Sequence, residues 1–239
     1  MNINEDKERR FWELRNKIYS LFLENFIPYK ELIGTIIEKL NPVPEFYILD
    51  AGCGPGIFEK IIIGKEILDL KIEAIDISKE IINIAKKKNR FLNNVSLKVV
   101  DLNDKLKYRD QSFDAIVCIN VLYLLQKPRE TLIDFFRVLK EGGKLIISIP
   151  KYNFNYSPLL QRHFLRVNGI KKIRDIILFS FILVLIFFFE FIITKRERKG
   201  RYHRFNKSDI LRLFQGTNFR NLEISDCYAG QNFLIIAEK

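Results

Sequence analysis

The sequence predicts an α/β fold in which a doubly wound, mostly parallel sheet carries one insertion. From Phe46 onwards, short apolar runs alternate with amphipathic helical stretches, which is typical of repeated strand–helix–strand units. The chain has 239 residues, of which 48% are hydrophobic and 29% charged, so it can bury a sizeable core. This composition excludes a disordered or fibrous protein.

The length predicts one domain, and the pattern divides it into four consecutive segments. Residues 1–44 carry apolar residues at helical spacing and predict two N-terminal helices. Residues 45–150 form the core, with predicted strands FYILD, KIEAID, VSLKVVD, FDAIVCI and KLIISIP. Residues 151–206 are a hydrophobic and basic helical insertion after the fifth strand. Residues 207–239 resume the rhythm with a helix at 207–214 and two strands, NLEISD and NFLIIAE.

A glycine-rich loop, DAGCGPG at 50–56, follows the first predicted strand. Glycine at every second position lets the backbone turn sharply and approach a ligand without a Cβ in the way. A dinucleotide-binding loop has two residues between its second and third glycines, whereas this loop has one. Pro55 removes an N–H donor that a pyrophosphate needs, and Asp50 favours a cationic group. The loop therefore predicts a ligand other than a dinucleotide.

Acidic residues follow three neighbouring strands at 50, 76 and 101. A carboxylate at Asp76 can accept hydrogen bonds from both hydroxyls of a ribose. Together with the glycine loop, the three acids predict a pocket for a nucleoside that carries positive charge. Each acid could instead cap a turn or a following helix, and that alternative is strongest for Asp101.

These motifs, with FDAIVCINVLYLL and LKEGGKLIISIP following in order, resemble the class I S-adenosylmethionine-dependent methyltransferases. The resemblance covers Phe46–Pro150 and Tyr202–Lys239. It implies a Rossmann-like sheet of seven strands, the last of them antiparallel, and S-adenosyl-L-methionine as the cofactor. The chain departs from the family at Tyr123, where many relatives have histidine, and at Glu141, where a proline is usual.

The resemblance also implies a role for each residue of the cofactor site. The loop glycines would wrap the methionine portion, while Asp50 orients its amino group. Residues after the second strand would hold the ribose and the adenine face. Residues after the third and fourth strands would meet the adenine edge and line the floor beneath the sulfonium. In chain order the set is Asp50, Gly52, Gly54 and Gly56, then Asp76 and Ile77, then Asp101 and Leu102, and finally Asn120.

Methyl transfer from a sulfonium is an in-line displacement, so the protein mainly aligns donor and acceptor and excludes water. A base is needed only if the acceptor is a hydroxyl, and the candidates are Tyr123, His163 and His203. The plainer expectation is that the tyrosine packs and that both histidines lie on the surface. Three cysteines without a CxxC pair predict neither a disulfide framework nor a metal site.

The insertion contains an apolar run, IILFSFILVLIFFFEFII, at 176–193. As a helix it would extend about 27 Å, marginally less than a hydrocarbon core of about 30 Å. Twelve bases and three acids lie at 162–207, so this segment supplies most of the net charge of +11. An apolar run with basic flanks predicts contact with an anionic membrane surface. Because a crossing would separate the last strands from their sheet, we expect a monotopic, peripheral arrangement on the cytosolic face.

The sequence therefore predicts a cytoplasmic methyltransferase whose acceptor is a lipid, an isoprenoid or quinone, or a lipid-linked sugar. One alternative is a soluble small-molecule methyltransferase whose insertion forms a lid or a homodimer interface. An RNA methyltransferase is disfavoured because no aromatic RNA-binding platform accompanies the basic residues. A non-catalytic membrane adaptor is disfavoured by the intact glycine loop. The N-terminus mixes acids and bases where a secretory signal has an apolar core, so no cleavable signal is expected.

Overall fold

The computed structural model describes residues 10, 11, 14, 17, 18, 20–90, 92–197 and 203–239. Within them the chain forms a seven-stranded sheet with the order β3-β2-β1-β4-β5-β7-β6. The first five strands are parallel, and β7 runs antiparallel to β5 and β6, which confirms the predicted fold class. The strands are β1 (Tyr47–Ala51), β2 (Lys71–Asp76), β3 (Val95–Val99), β4 (Phe113–Ile119), β5 (Leu139–Pro150), β6 (Arg220–Cys227) and β7 (Asn232–Glu238).

Helices cover the sheet, and the helix expected at 207–214 begins at a capping box. The Asn206 side chain accepts a hydrogen bond from the Asp209 N–H, and the Asp209 carboxylate accepts one from the Asn206 N–H. Residues 20–25 are also helical. The helices are α1 (Ile27–Leu40), α2 (Ile57–Ile63), α3 (Lys79–Lys88), α4 (Pro128–Val138), α5 (Ser157–Arg166), α6 (Gly169–Glu197) and α7 (Lys207–Phe214).

The central strands are mostly apolar because both faces of the sheet are covered. Successive residues of β1 enter different clusters: Ile48 packs with residues of α1, and Leu49 packs with residues of α4 and α7. The chain leaves β1 towards β2 and β3 on one side and returns to β4 on the other. The order therefore reverses beside β1, and open α/β sheets bind ligands at such a point, at the carboxyl ends of the strands, here β1 and β4.

Helices α5 and α6 occupy the insertion after β5. The 29-residue α6 buries Asp175, Phe179 and Ile182 on one face. The Phe179 ring lies 4.8 Å from the Phe22 ring and 5.8 Å from the Phe26 ring. Helix α6 therefore packs against the helical layer formed by residues 20–40. Among the helices, as far as the structure describes them, none combines the length and apolarity needed to cross a membrane. The predicted basic flank at 198–201 lies outside the described residues.

Candidate active site

The glycine loop joins β1 to α2 in a conformation that requires glycine. Gly52, Gly54 and Gly56 have φ angles of 89°, 55° and 77°, in the left-handed region that side chains disfavour. A Cβ on Gly52 would lie 2.3 Å from Val121 Cγ2, and one on Gly56 would lie 2.1 Å from Asn89 Nδ2. A Cβ on Gly54 would meet nothing within 4 Å. The middle glycine therefore borders open space in which a ligand can approach the backbone.

Asp76 is the last residue of β2, and the structure brings it to the glycine loop. The Gly54 N–H donates to its Oδ2 at 3.1 Å, and the Ser78 N–H donates to its Oδ1 at 2.9 Å. Burial raises the pKa of Asp76, while these hydrogen bonds favour the carboxylate. The following residue, Ile77, is 54% exposed. This carboxylate can accept hydrogen bonds from ribose hydroxyls, and the exposed Ile77 side chain can cover an adenine face, so the structure leaves room for both predicted roles.

Asp50 and Glu59 form a buried pair of carboxyl groups under the loop. Asp50 lies in β1, and Glu59 in the first turn of α2. Burial, and then the neighbouring Glu59, raise the pKa of Asp50 well above its usual range. Burial also raises the pKa of Glu59. Glu59 was not predicted from the sequence. The feature that could have indicated it is an acid in the first turn of the mostly apolar segment IFEKIII.

Asn120 follows β4 and is held in place by a polar network. Its φ of 57° is left-handed, and its N–H donates to the Ser148 carbonyl at 2.9 Å. Asn232 is fully buried, and its Nδ2 donates to both Asn120 Oδ1 and Ser148 Oγ at 2.7 Å. Asn232 was not foreseen, because it reaches Asn120 only through the pairing of β7 with β5. The network fixes the residue predicted to line the floor beneath the sulfonium.

Asp101 lies two residues beyond the end of β3, and its carboxylate faces a local turn. Its Oδ1 accepts hydrogen bonds from the Asn103 N–H at 2.8 Å and from Asn103 Nδ2 at 2.9 Å. This is the turn-capping alternative that the sequence left open. Leu102 is buried in the core, and its carbonyl accepts the Thr131 hydroxyl. The adenine-edge roles of Asp101 and Leu102 stay predictions.

Two of the three candidate bases lie together. Tyr123 belongs to a short 3-10 turn after β4, and its carbonyl accepts the His203 N–H at 2.9 Å. The His203 ring stacks on Phe205 with ring centroids 5.7 Å apart. Both residues are half-buried. Tyr123 lies beyond the carboxyl end of β4, three residues after Asn120, and its carbonyl brings His203 to the same end of the strand. This places Tyr123 and His203 on the side where an acceptor would meet the cofactor.

His163 lies elsewhere, and the expectation that it is a surface residue is wrong. Its side chain is fully buried between helices. Nδ1 accepts the Ile27 N–H at 3.2 Å, so the proton of the neutral ring is on Nε2, which donates to Asp175 Oδ2 at 3.2 Å. Both ring nitrogens are thus occupied by contacts that join α1, α5 and α6.

The carboxyl groups around the glycine loop fit a nucleoside that carries positive charge. Asp50, Glu59 and Asp76 influence one another electrostatically around the loop. Asp50 Oδ1 and both Glu59 oxygens lack a hydrogen-bonding partner among the described residues. Buried acceptors without donors favour a ligand that brings positive charge, and the open space beside Gly54 gives it access to the backbone.

A methyltransferase-domain family matches residues 44–174, more than half of the chain. The chain belongs to this methyltransferase family. Its domain is an S-adenosylmethionine-dependent methyltransferase domain with the class I fold, and the carboxylates and glycines described above are the groups available to hold the cofactor. The cofactor supplies an electrophilic methyl group on a sulfonium. In a transfer of this kind the protein aligns donor and acceptor and keeps water away from them.

The curated relatives match only part of the chain. An uncharacterized protein of Methanocaldococcus jannaschii is 33% identical over 54% of this chain and 55% of its own. Phosphoethanolamine N-methyltransferase 1 of Arabidopsis thaliana is 34% identical over 49% of this chain and 24% of its own. A ubiquinone biosynthesis O-methyltransferase of Xanthomonas oryzae is 29% identical over 47% and 51%. This methyltransferase therefore spans about half the length of these relatives, or less.

Solved structures share the fold over nearly the whole chain. A SAM-dependent methyltransferase from Aquifex aeolicus superposes with a TM-score of 0.62 at 18% identity, covering 93% of this chain and 97% of its own. The complex of the Haloferax volcanii Trm112 methyltransferase activator with a methyltransferase gives 0.65 at 14% identity, covering 95% and 93%. At these identities the likeness establishes the fold alone.

We expect Gly54→Ala to weaken cofactor binding strongly while costing only about 1 kcal/mol of folding stability. The added methyl meets no protein atom, so it projects into the space available to the ligand. Gly142→Ala is the matched control, because Gly142 also has a left-handed φ and no atom within 4 Å. Chemical denaturation should show similar stability losses, and calorimetric titration should show weakened binding only for Gly54→Ala. Equal cofactor affinities for the two variants would contradict the prediction.

Proposed function

We propose that this methyltransferase modifies a hydrophobic acceptor, a lipid or an isoprenoid quinone, which it meets at an anionic membrane surface on the cytosolic side. The observation that carries the proposal is an apolar stripe of exposed side chains along α6. Successive residues of an α-helix are about 100° apart around its axis, so these side chains project from α6 within a sector about 60° wide. The apolar stripe consists of Ile173, Ile177, Val184, Phe188 and Phe191.

The opposite face of α6 explains why the apolar stripe points outwards. Asp175, Phe179 and Ile182 lie about half a helical turn away from the stripe and are buried. His163 holds the carboxylate of Asp175, and the Phe22 ring packs on Phe179. The rotation of α6 about its axis is therefore fixed by the helical layer, so a bilayer would receive the stripe without any change in the fold.

The helical layer reaches the edge of the sheet where the cofactor site lies. Asn232 pairs with Pro150, so the turn between β6 and β7 stands at the carboxyl end of β5. Tyr228 of this turn has its ring 6.4 Å from the Phe26 ring, which in turn contacts Phe179 of α6. A hydrophobic acceptor held by α6 would thus approach the edge at which Asn120 and the glycine loop meet.

Charge favours an anionic lipid surface over other occupants of the stripe. Lys171 and Lys172 are exposed at the start of α6, and the segment 162–207 carries twelve bases against three acids. Basic residues beside an apolar face gain about 1 kcal/mol each near anionic headgroups. The name of the Xanthomonas relative places that enzyme in ubiquinone biosynthesis, which supports an isoprenoid quinone as one acceptor class for this chain.

Liposome flotation tests the membrane contact with a matched pair of variants. We expect the wild-type protein to float with vesicles containing phosphatidylserine, and the triple variant Ile173→Ser/Ile177→Ser/Val184→Ser to bind at least about tenfold more weakly. The control replaces three exposed apolar residues elsewhere, as Leu68→Ser/Val99→Ser/Leu211→Ser, and should float as the wild type does.

Failure of the wild type to float, or flotation of both triple variants alike, would contradict membrane docking. A wild-type dimer that only the α6 triple variant dissociates in sedimentation would instead assign the stripe to a second copy of the chain. The acceptor class is tested separately, by incubating the enzyme with methyl-labelled cofactor and a lipid extract. We expect label in the organic phase, and label confined to water-soluble products would overturn the hydrophobic acceptor.

A further inference from the structure

Glu59 occupies an unusual place for an acid. Its side chain is fully buried directly after the glycine loop, and it lies within hydrogen-bonding reach of Asp50, which is 2% exposed. Acids this deep are normally paired with a base. Within the described part of the chain, no lysine or arginine forms an ion pair with either residue. Their oxygens remain unpartnered as long as both groups are ionised, because two carboxylates have no proton to share.

Two carboxyl groups in reach of each other in a buried site do not both ionise at neutral pH. Burial raises the pKa of both, and that of Glu59 to about 7. The other titratable groups that face the pair are Asp76 of β2, Cys53 of the loop and Cys118 of β4. Burial raises the pKa of both thiols, which stay neutral and contribute no balancing charge. Burial and proximity therefore favour a single proton on the pair in the free protein.

We propose that Glu59 is a positioning residue of the cofactor site, which shares one proton with Asp50 and releases it when the ammonium group of the cofactor arrives beside Asp50. Before binding, the two carboxyl groups share one proton and carry one negative charge, and the ligand brings one positive charge. After binding, both carboxyl groups are ionised beside the ammonium group, and the proton has gone to the solvent. The positive charge of the ligand thus replaces the proton. The proposal rests on the cofactor and not on the acceptor, so it stands whether or not the membrane proposal fails.

Calorimetric titration in buffers of different ionisation enthalpy counts the protons released on binding. The probe is S-adenosylhomocysteine, which keeps the ammonium group, lacks the sulfonium and cannot turn over. At about pH 7 we expect the wild type to release up to about one proton per ligand bound, with affinity falling by up to about tenfold for each pH unit of acidification. Methylthioadenosine lacks the amino-acid portion and should bind without proton release.

Glu59→Gln should abolish the proton release, because the amide cannot ionise and its N–H can donate to Asp50, which favours the charged form of that carboxyl group before the ligand binds. A purely structural role of Glu59 would change the affinity without changing the proton count. Glu38→Gln removes an exposed carboxylate of α1 and should behave as the wild type. If Glu59→Gln does not fold, the proton release of the wild type with S-adenosylhomocysteine and with methylthioadenosine still tests the proposal. Absence of proton release in the wild type, or equal release with methylthioadenosine, would overturn the proposal.

Discussion

Replacing Asp76 by alanine is expected to weaken S-adenosylhomocysteine binding by about 100-fold or more. A hydrogen bond to a charged group contributes about 1.5–3 kcal/mol, and a ribose offers two hydroxyls to this carboxylate. The substitution also removes the acceptor of the Gly54 and Ser78 N–H groups, so the loop loses the contact that holds it against β2. Calorimetric titration with the purified protein measures the loss directly.

Two further variants separate the ribose contact from the support of the loop. Asp76→Asn keeps one oxygen and the size of the side chain, so we expect an intermediate loss of about tenfold. Asp101→Ala removes an acid whose carboxylate is turned towards Asn103, and we expect its affinity to stay within a few-fold of the wild type. A loss at Asp101 as large as that at Asp76 would show that Asp101, too, contacts the cofactor.

The contrast between Asp76 and Asp101 shows what the sequence can predict about this site. Asp76 ends a strand whose neighbour carries the glycine loop, and parallel pairing of β2 with β1 brings the two together. Apolar runs of strand length predicted the parallel strands, and the resemblance to the methyltransferase family implied the seven-stranded sheet, so the sheet and the position of the loop were foreseeable. Asp101 follows a similar run, but β3 ends two residues earlier and the carboxylate closes a turn.

Glu59 and Asn232 mark where the sequence was insufficient. Each is a polar residue near the start of an otherwise mostly apolar helix or strand, and its importance depends on a neighbour on another element. Asn232 meets Asn120 only because β7 runs antiparallel beside β5, and Glu59 meets Asp50 only because α2 folds back on β1. Sequence spacing describes neighbours on one element, whereas these contacts depend on the packing of several elements.

Helix α6 shows a similar limit. Its sequence is apolar all round, which predicts burial on every side or contact with lipid. The structure divides the described side chains into a buried face and the apolar stripe. The buried face is fixed by Asp175, a polar residue just before the apolar run, whose partner His163 lies on the preceding helix. The sequence offered no reason to pair these two residues.

Asp175→Ala is therefore expected to destabilise the protein by about 1–3 kcal/mol, because it leaves the buried N–H of a neutral histidine without its partner and frees the start of α6. Asp175→Asn retains an acceptor for His163 Nε2 and should cost less. Asp226→Ala is the surface control, since Asp226 is largely exposed in its ion pair with Lys151 and should cost less than about 1 kcal/mol. Chemical denaturation measures all three, and equal losses for Asp175→Ala and Asp226→Ala would contradict the prediction.

The buried contact between His163 and Asp175 also makes the folding stability fall as the pH is lowered. Burial lowers the pKa of His163 despite the opposing effect of Asp175, so the unfolded chain binds a proton at this ring before the folded protein does. Stability is then fully present above the ordinary histidine pKa of about 6.5, and it is lost as the pH falls below that value towards the folded pKa. His163→Phe removes this titration. We expect the wild type to lose more thermal stability than His163→Phe between about pH 7 and pH 5, and parallel losses would show that α6 is held without a neutral His163.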